Sequence, residues 1–388
     1  MRIVCAFGKR ADFPFGRNNL VKKMSVILIM LITFSFPVFA TNQTKEEIYA
    51  NFDFSDIYDA MGSDVYENIG DVEDFNSNDV SVSGFLSFVL SAVLNCLKPF
   101  LKNLSIILVY ILVISFIKKL CENFSGGDIS NALNYPSLLA LSAVIFSMIS
   151  ADFKIVQEFL LAVKSYYTCA IPIMTGMYAL GGNNALAIAN SASSTVILSV
   201  ISFICQDLIL PIARLIFALN LAANLSTNIK LAPFVKFLTG FASKVMALFM
   251  GLIASGMLLS CKLASANDGV GVRVLRFAAS SFIPIVGGAV SEATRTLISC
   301  LSLIRSSFGI FGITALIYML FPVLITIIMG QFSFNIAASF AQTLDCTKEG
   351  GLLSDCANVY SIALSAVISI CVCFILACAI FINTAAVI

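Results

Sequence analysis

Residues 359–382 read VYSIALSAVISICVCFILACAIFI, an unbroken run without one formal charge. A charged side chain in hydrocarbon costs several kcal/mol, and roughly 20 apolar residues in helical form cross a bilayer core. The run therefore reads as a lipid-solvated helix. Leu104–Ile117 and Val245–Ser260 are equally free of charge. Across the 388 residues, 59% are hydrophobic and 12% charged, against roughly 45–50% and 25% in soluble domains. The fold class is all-α: a polytopic membrane helical bundle with a short acidic extracytoplasmic segment.

That segment is the second feature. Eleven of the 22 acidic residues fall between Thr41 and Val80, against one cation, Lys45. Its apolar residues (Ile48, Tyr49, Phe52, Phe54, Ile57, Tyr58, Val65, Ile69) are too few for a core. Two readings stand: short helices that dock on a partner, or a solvated spacer. Ahead of it, Arg17, Lys22 and Lys23 precede an apolar stretch from Val26 to Phe36, then Pro37 and Val38-Phe39-Ala40. This is the pattern of an export signal cleaved after Ala40, with Met24 an alternative start. Cleavage would leave 41–80 outside the cytoplasm.

The absences restrict chemistry. The chain has no histidine, which removes histidine triads, histidine-ligated zinc and imidazole relays. A net charge of +1 without a basic patch gives no case for nucleic acid. The 12 cysteines show no metal or disulfide spacing. Cys346 and Cys356 flank a polar loop and could pair on an oxidising side, with ordinary packing the alternative. The sequence implies no cofactor.

Along the body, Ser83–Leu97 suits an interfacial or re-entrant helix, and Pro99 opens a span ending at Ile117. Lys118 and Lys119 then act as a cytoplasmic stop signal. Further spans are expected at Pro136–Ile149, Ala185–Cys205, Leu208–Leu225, Val245–Ser260, Phe308–Met329 and Val359–Ile382. Lys154–Tyr167 and Ser291–Arg305 are amphipathic and are expected at the interface or paired by their polar faces. The domain order is then a signal (1–40), the acidic segment (41–80), first membrane helices (81–153) and two membrane units (154–262 and 263–388).

The two units rest on an internal echo. Ile171-Pro172-Ile173-Met174-Thr175-Gly176 returns as Ile283-Pro284-Ile285-Val286-Gly287-Gly288. Lys164 and Arg276 precede, Pro211 and Pro322 follow, and Asn220-Leu221-Ala222-Ala223 echoes Asn335-Ile336-Ala337-Ala338. Four echoes in one order point to duplication. Three spans between Pro172 and Pro284 would make the repeats inverted; two would make them parallel. A Pro-Gly break at membrane depth frees backbone groups that protein or water must satisfy. Pro172, Gly176, Pro284, Gly287 and Gly288 are therefore pathway candidates, with packed kinks the alternative. Asp207, Pro211, Arg214, Glu292 and Arg295 join them as charges and a proline inside apolar surroundings.

With the export signal, the acidic segment and the Phe282-Ile283-Pro284-Ile285-Val286-Gly287-Gly288-Ala289-Val290-Ser291-Glu292-Ala293 run, the chain resembles the stage III sporulation protein AE family. The resemblance covers most of the chain after about Ser83. It implies a role in endospore formation, in the mother-cell membrane around the forespore. It also implies partners: the membrane and ring-forming proteins of the same operon, which build a channel or feeding tube to the forespore. It carries over no catalytic residue. A transport or channel subunit is the first reading and a non-conducting scaffold the second. An intramembrane enzyme is the weakest, for want of an aspartate dyad.

Overall fold

The computed structural model describes residues 49–50, 52–75, 82–125, 127–180, 184–225, 231–253, 255–256 and 287–384. The chain divides into two units, Met1–Phe39 and Ala40–Ile388. The first, and with it the export-signal reading, lies outside the described residues, as does Pro284. Every regular element described is helical. Two short helices, α1 (Ser55–Met61) and α2 (Ser63–Ile69), precede α3 (Val82–Ser125) and α4 (Gly127–Leu180). Then come α5 (Asn184–Ser202), a π-helical segment (Phe203–Ile209) and α6 (Leu210–Leu225). The last three are α7 (Ala232–Ile253), α8 (Gly287–Thr343) and α9 (Thr347–Thr384).

Among the described residues, six helical runs are long and apolar enough to cross a membrane: Ser83–Cys121, Asn134–Leu180, Ala187–Asn224, Ala232–Ile253, Ile304–Thr343 and Thr347–Ile382. The membrane helical bundle is thus the fold. Its boundaries differ from the sequence reading, because the prolines do not break helices here. Pro99 lies inside α3, so Ser83–Leu97 and Pro99–Ile117 are one helix. Pro136 and Pro172 both lie inside α4, which absorbs Pro136–Ile149 and the stretch Lys154–Tyr167. Ser291–Arg305 likewise belongs to α8. A proline removes one helical hydrogen bond, whereas leaving the helix in apolar surroundings would strand several backbone groups. Continuity costs less.

The expected break between the spans Ala185–Cys205 and Leu208–Leu225 is also corrected. Ala185–Cys205 and Leu208–Leu225 are joined through the π-helical segment, closed by the Leu210 N–H donating to the Cys205 carbonyl. Pro211 has no N–H to offer the carbonyl of Asp207, and the wider π turn lets the chain pass the proline without unwinding. Two described spans, not three, therefore separate α4 from α8. The helices that follow, Asn184–Leu225 and Gly287–Thr343, run the same way through the bundle. Among the described residues the count is the one the parallel alternative calls for; Pro284, the second anchor of the echo, lies outside them.

Packing fixes two ends. At the hairpin end, α8 turns into α9 through Asp345 at φ 60. At the other, the terminal end, Phe308 meets Phe381 with ring centroids 6.1 Å apart. Helix α3 runs alongside α8 in the same direction, with Phe85 against Tyr318 and Phe321, and Phe100 stacked on Phe332. Helix α4 runs with α9, setting Tyr166 and Tyr167 around Phe374 at 5.4 and 5.0 Å. At 1.5 Å per residue, the 44 to 57 residues of α3, α4 and α8 span roughly 66 to 86 Å. That is more than twice a bilayer core of ~30 Å. Midway along, a polar level interrupts the apolar surface: Lys154–Glu158 at 3.6 Å, Arg214 donating to Gln157 at 2.7 Å, and Gln331 donating to the Ser361 hydroxyl at 2.9 Å.

The acidic segment docks on its own chain at the terminal end. Tyr49 is fully buried and donates to the Ile304 carbonyl at 3.4 Å. Phe54 packs on Phe308 and Phe75 on Phe311. Its described carboxylates all face outward. Asp53 accepts from the hydroxyl and amide of Ser55, which lowers its pKa, and burial pushes the Tyr58 phenol up to about 12. Few apolar residues suffice because the partner surface is the bundle itself, not a core of their own. A solvated spacer is ruled out for this stretch.

Candidate functional site

Between α4 and α5 lies a cavity of about 850 Å³. Helix α4 contributes Lys164, Thr168, Ile171, Pro172, Thr175 and Gly176, steps of three and four that place them on one face. Helix α5 answers with Ser191, Thr195, Leu198, Ser199 and Ser202 at the same spacing, and the π-helical segment adds Phe203 and Asp207. Thr168, Thr175, Thr195 and Ser199 each donate to the carbonyl four residues back, at 2.8, 2.7, 2.8 and 2.8 Å. Their protons are thus used within their own helices, and their lone pairs are left for the groove. Ser202 is buried and its hydroxyl has no hydrogen-bond partner. The walls are wettable along helices that are otherwise apolar.

Lys164 and Asp207 share the end of this groove nearest the polar level. Neither side chain makes an ion pair with a described residue, so a cation and an anion both remain open to groove contents. At the opposite end, Gly176 meets Phe52 of the acidic segment. A Cβ on Gly176 would sit 2.6 Å from the Phe52 Cε1, far inside contact distance. Gly176 is therefore a point of close approach inside a continuous helix, not a membrane-depth break. The acidic segment abuts the mouth of the groove there.

Of the sequence candidates, Pro172, Gly176 and Asp207 are brought together. Pro211 opens α6 and stays exposed outside the cavity lining. Arg214 does not join Asp207 but holds Gln157. The intervening π turn changes the angle per residue, so seven positions no longer return to one face. Gly287 and Gly288 lie in the first turn of α8, with Glu292 and Arg295 just after; their side chains lie outside the described residues.

Two polar contacts brace the bundle ends. At the hairpin end Glu349, 1% exposed, accepts from Lys118 and from the Ser137 hydroxyl, both at 2.7 Å, joining α3, α4 and α9. Nearby Cys346 and Cys356 are free, buried thiols. At the terminal end Arg305, 2% exposed, donates through Nε and Nη2 to the Met177 carbonyl at 3.2 and 2.9 Å and lies 5.2 Å from the Tyr178 ring centroid. This cation satisfies a carbonyl in the last turn of α4, where the helix dipole is negative. Sequence reading placed Arg305 on an interfacial stripe and gave Lys118 only a sorting role. The pairs are hundreds of residues apart, and no local pattern links them. The hydroxyl stripe was different: Ser191, Thr195, Ser199 and Ser202 are visible in the sequence at steps of four, four and three.

Residues 68–385 match the family described as Stage III sporulation protein AE. The chain belongs to the stage III sporulation protein AE family. The match begins within α2, earlier than the resemblance suggested, and so includes the docked Val72 and Phe75. Stage III sporulation protein AE of Bacillus subtilis (strain 168) is 20% identical over 261 residues. That match covers 67% of this chain and 64% of the relative, slightly under two-thirds of the relative's length. No solved structure matches. Family and fold together make this a sporulation protein with multiple membrane-spanning helices.

Proposed function

We propose that this family member is a transport or channel subunit of the apparatus joining mother cell to forespore. The groove between α4 and α5 carries the reading. It combines a volume of about 850 Å³, hydroxyl walls and two uncommitted charges inside long apolar helices. Polar side chains in lipid-exposed positions are costly, and a wetted pathway offsets that cost. The chain works without catalysis or cofactor and assembles with the operon's other membrane and ring-forming proteins, in the mother-cell membrane around the forespore.

In this arrangement the export signal is cleaved, and the docked acidic segment and the groove mouth lie outside the cytoplasm. The hairpin end, with Lys118, Lys119 and Lys348, faces the mother-cell cytoplasm, in keeping with the inward bias of lysine and arginine.

The alternative, a scaffold that anchors ring proteins without conducting, draws on the two polar braces, which hold the bundle ends rigidly. Reconstitution of the full chain in liposomes separates the two. Flux of small polar solutes that falls in Ser202→Phe supports the subunit as a conductor; a tight liposome leaves the scaffold.

A further inference from the structure

A second, smaller chamber of about 60 Å³ lies among α3, α4, α8 and α9, away from the groove. Asp152 of α4 projects into it, in the middle of an apolar helical run. One carboxylate oxygen, Oδ2, accepts from the Tyr360 hydroxyl at 2.5 Å. Tyr360 is placed by Gly330, where a Cβ would lie 2.6 Å from the ring. No lysine or arginine lines the chamber, and Asp152 is in no ion pair among the described residues; nearby Lys154 is paired outward with Glu158. A carboxylate so placed calls for a positive partner.

The rest of the wall is ready for one. Ser333 is 3% exposed and its hydroxyl has no hydrogen-bond partner. Asn103 also lines the chamber, as does Pro99, which has no N–H to occupy a neighbouring acceptor. These are hard oxygen donors around a single negative charge. Divalent calcium draws on more oxygens, commonly several carboxylates, and magnesium keeps a shell of waters that this volume does not hold. We propose that the chamber binds one sodium-sized monovalent cation. Asp152, Ser333 and Asn103 supply protein oxygens, and the remaining space takes one or two waters. The site goes beyond the transport reading and does not depend on it: a scaffold can carry a bound ion as well as a channel can.

The test is thermal unfolding of the purified full chain in detergent, at fixed pH and ionic strength, in sodium chloride against N-methyl-D-glucamine chloride. A ligand that binds only the native state raises the midpoint in a saturable way. Sodium is expected to do so. Ser333→Ala keeps the Tyr360–Asp152 bond and the fold, and is expected to raise the half-saturating sodium concentration roughly tenfold, the effect of about 1.4 kcal/mol. Asp152→Asn is expected to abolish the response. Equal midpoints in the two salts would overturn the proposal. So would a sodium response undiminished in both variants, or a midpoint that follows pH but not sodium, which would mean that Asp152 takes a proton instead.

Discussion

Lys118 and Glu349, 231 residues apart, meet at 2.7 Å with side chains 13% and 1% exposed. The second carboxylate oxygen of Glu349 has no hydrogen-bond partner. The pair therefore stands on one cation and one hydroxyl, and removing the cation leaves a buried charge alone. Lys118→Met is expected to destabilise the chain by about 3–5 kcal/mol, whereas Lys118→Met with Glu349→Leu recovers most of that. Chemical unfolding of the two variants in detergent checks it. Equal losses in single and double variants would mean the pair is incidental.

Gly176 and Phe52 give a prediction about the acidic segment. Gly176→Ala puts a methyl group against the Phe52 ring, an overpacking that costs about 1–3 kcal/mol. The segment is expected to undock and become sensitive to protease between Tyr49 and Phe75. Phe52→Ala in the same chain restores the space and the protection. If Gly176→Ala alone leaves the digestion pattern unchanged, the docking does not depend on this contact.

The long helices were legible because charge-free runs of this length admit little else. Their ends were not. Pro99, Pro136 and Pro172 are read as breaks in water, where freed carbonyls find solvent; inside an apolar bundle the helix continues instead. Asp207 and Arg214 are seven residues apart, which is one face of a regular helix, and the π turn leaves no plain mark in sequence. Asp152 carries no local signal, since its partner Tyr360 is 208 residues away. Local periodicity reports which residues share a helix face, and long-range pairing decides what that face meets.

Arg305 yields a test of side-chain identity. Its fork gives two hydrogen bonds to one carbonyl and a stacking position beside Tyr178. Arg305→Met is expected to cost about 2 kcal/mol. Arg305→Lys recovers only part, because an ammonium does not reproduce the planar fork. A full rescue by lysine, read from the unfolding midpoint, would show that charge alone matters there.

The central claim is that water enters the groove between α4 and α5 while the opposite face of α5 meets lipid. Thr195 and Ser199 line the groove, whereas Val196, 62% exposed, is not part of its lining. The direct measurement is the reaction of single introduced cysteines with a charged, membrane-impermeant maleimide, in membrane vesicles from a background in which all 12 native cysteines are replaced by alanine or serine. Thr195→Cys and Ser199→Cys are predicted to label rapidly and Val196→Cys hardly at all, since a thiol in lipid neither ionises nor meets the reagent. Rapid labelling at Val196→Cys with silence at the other two would contradict the account.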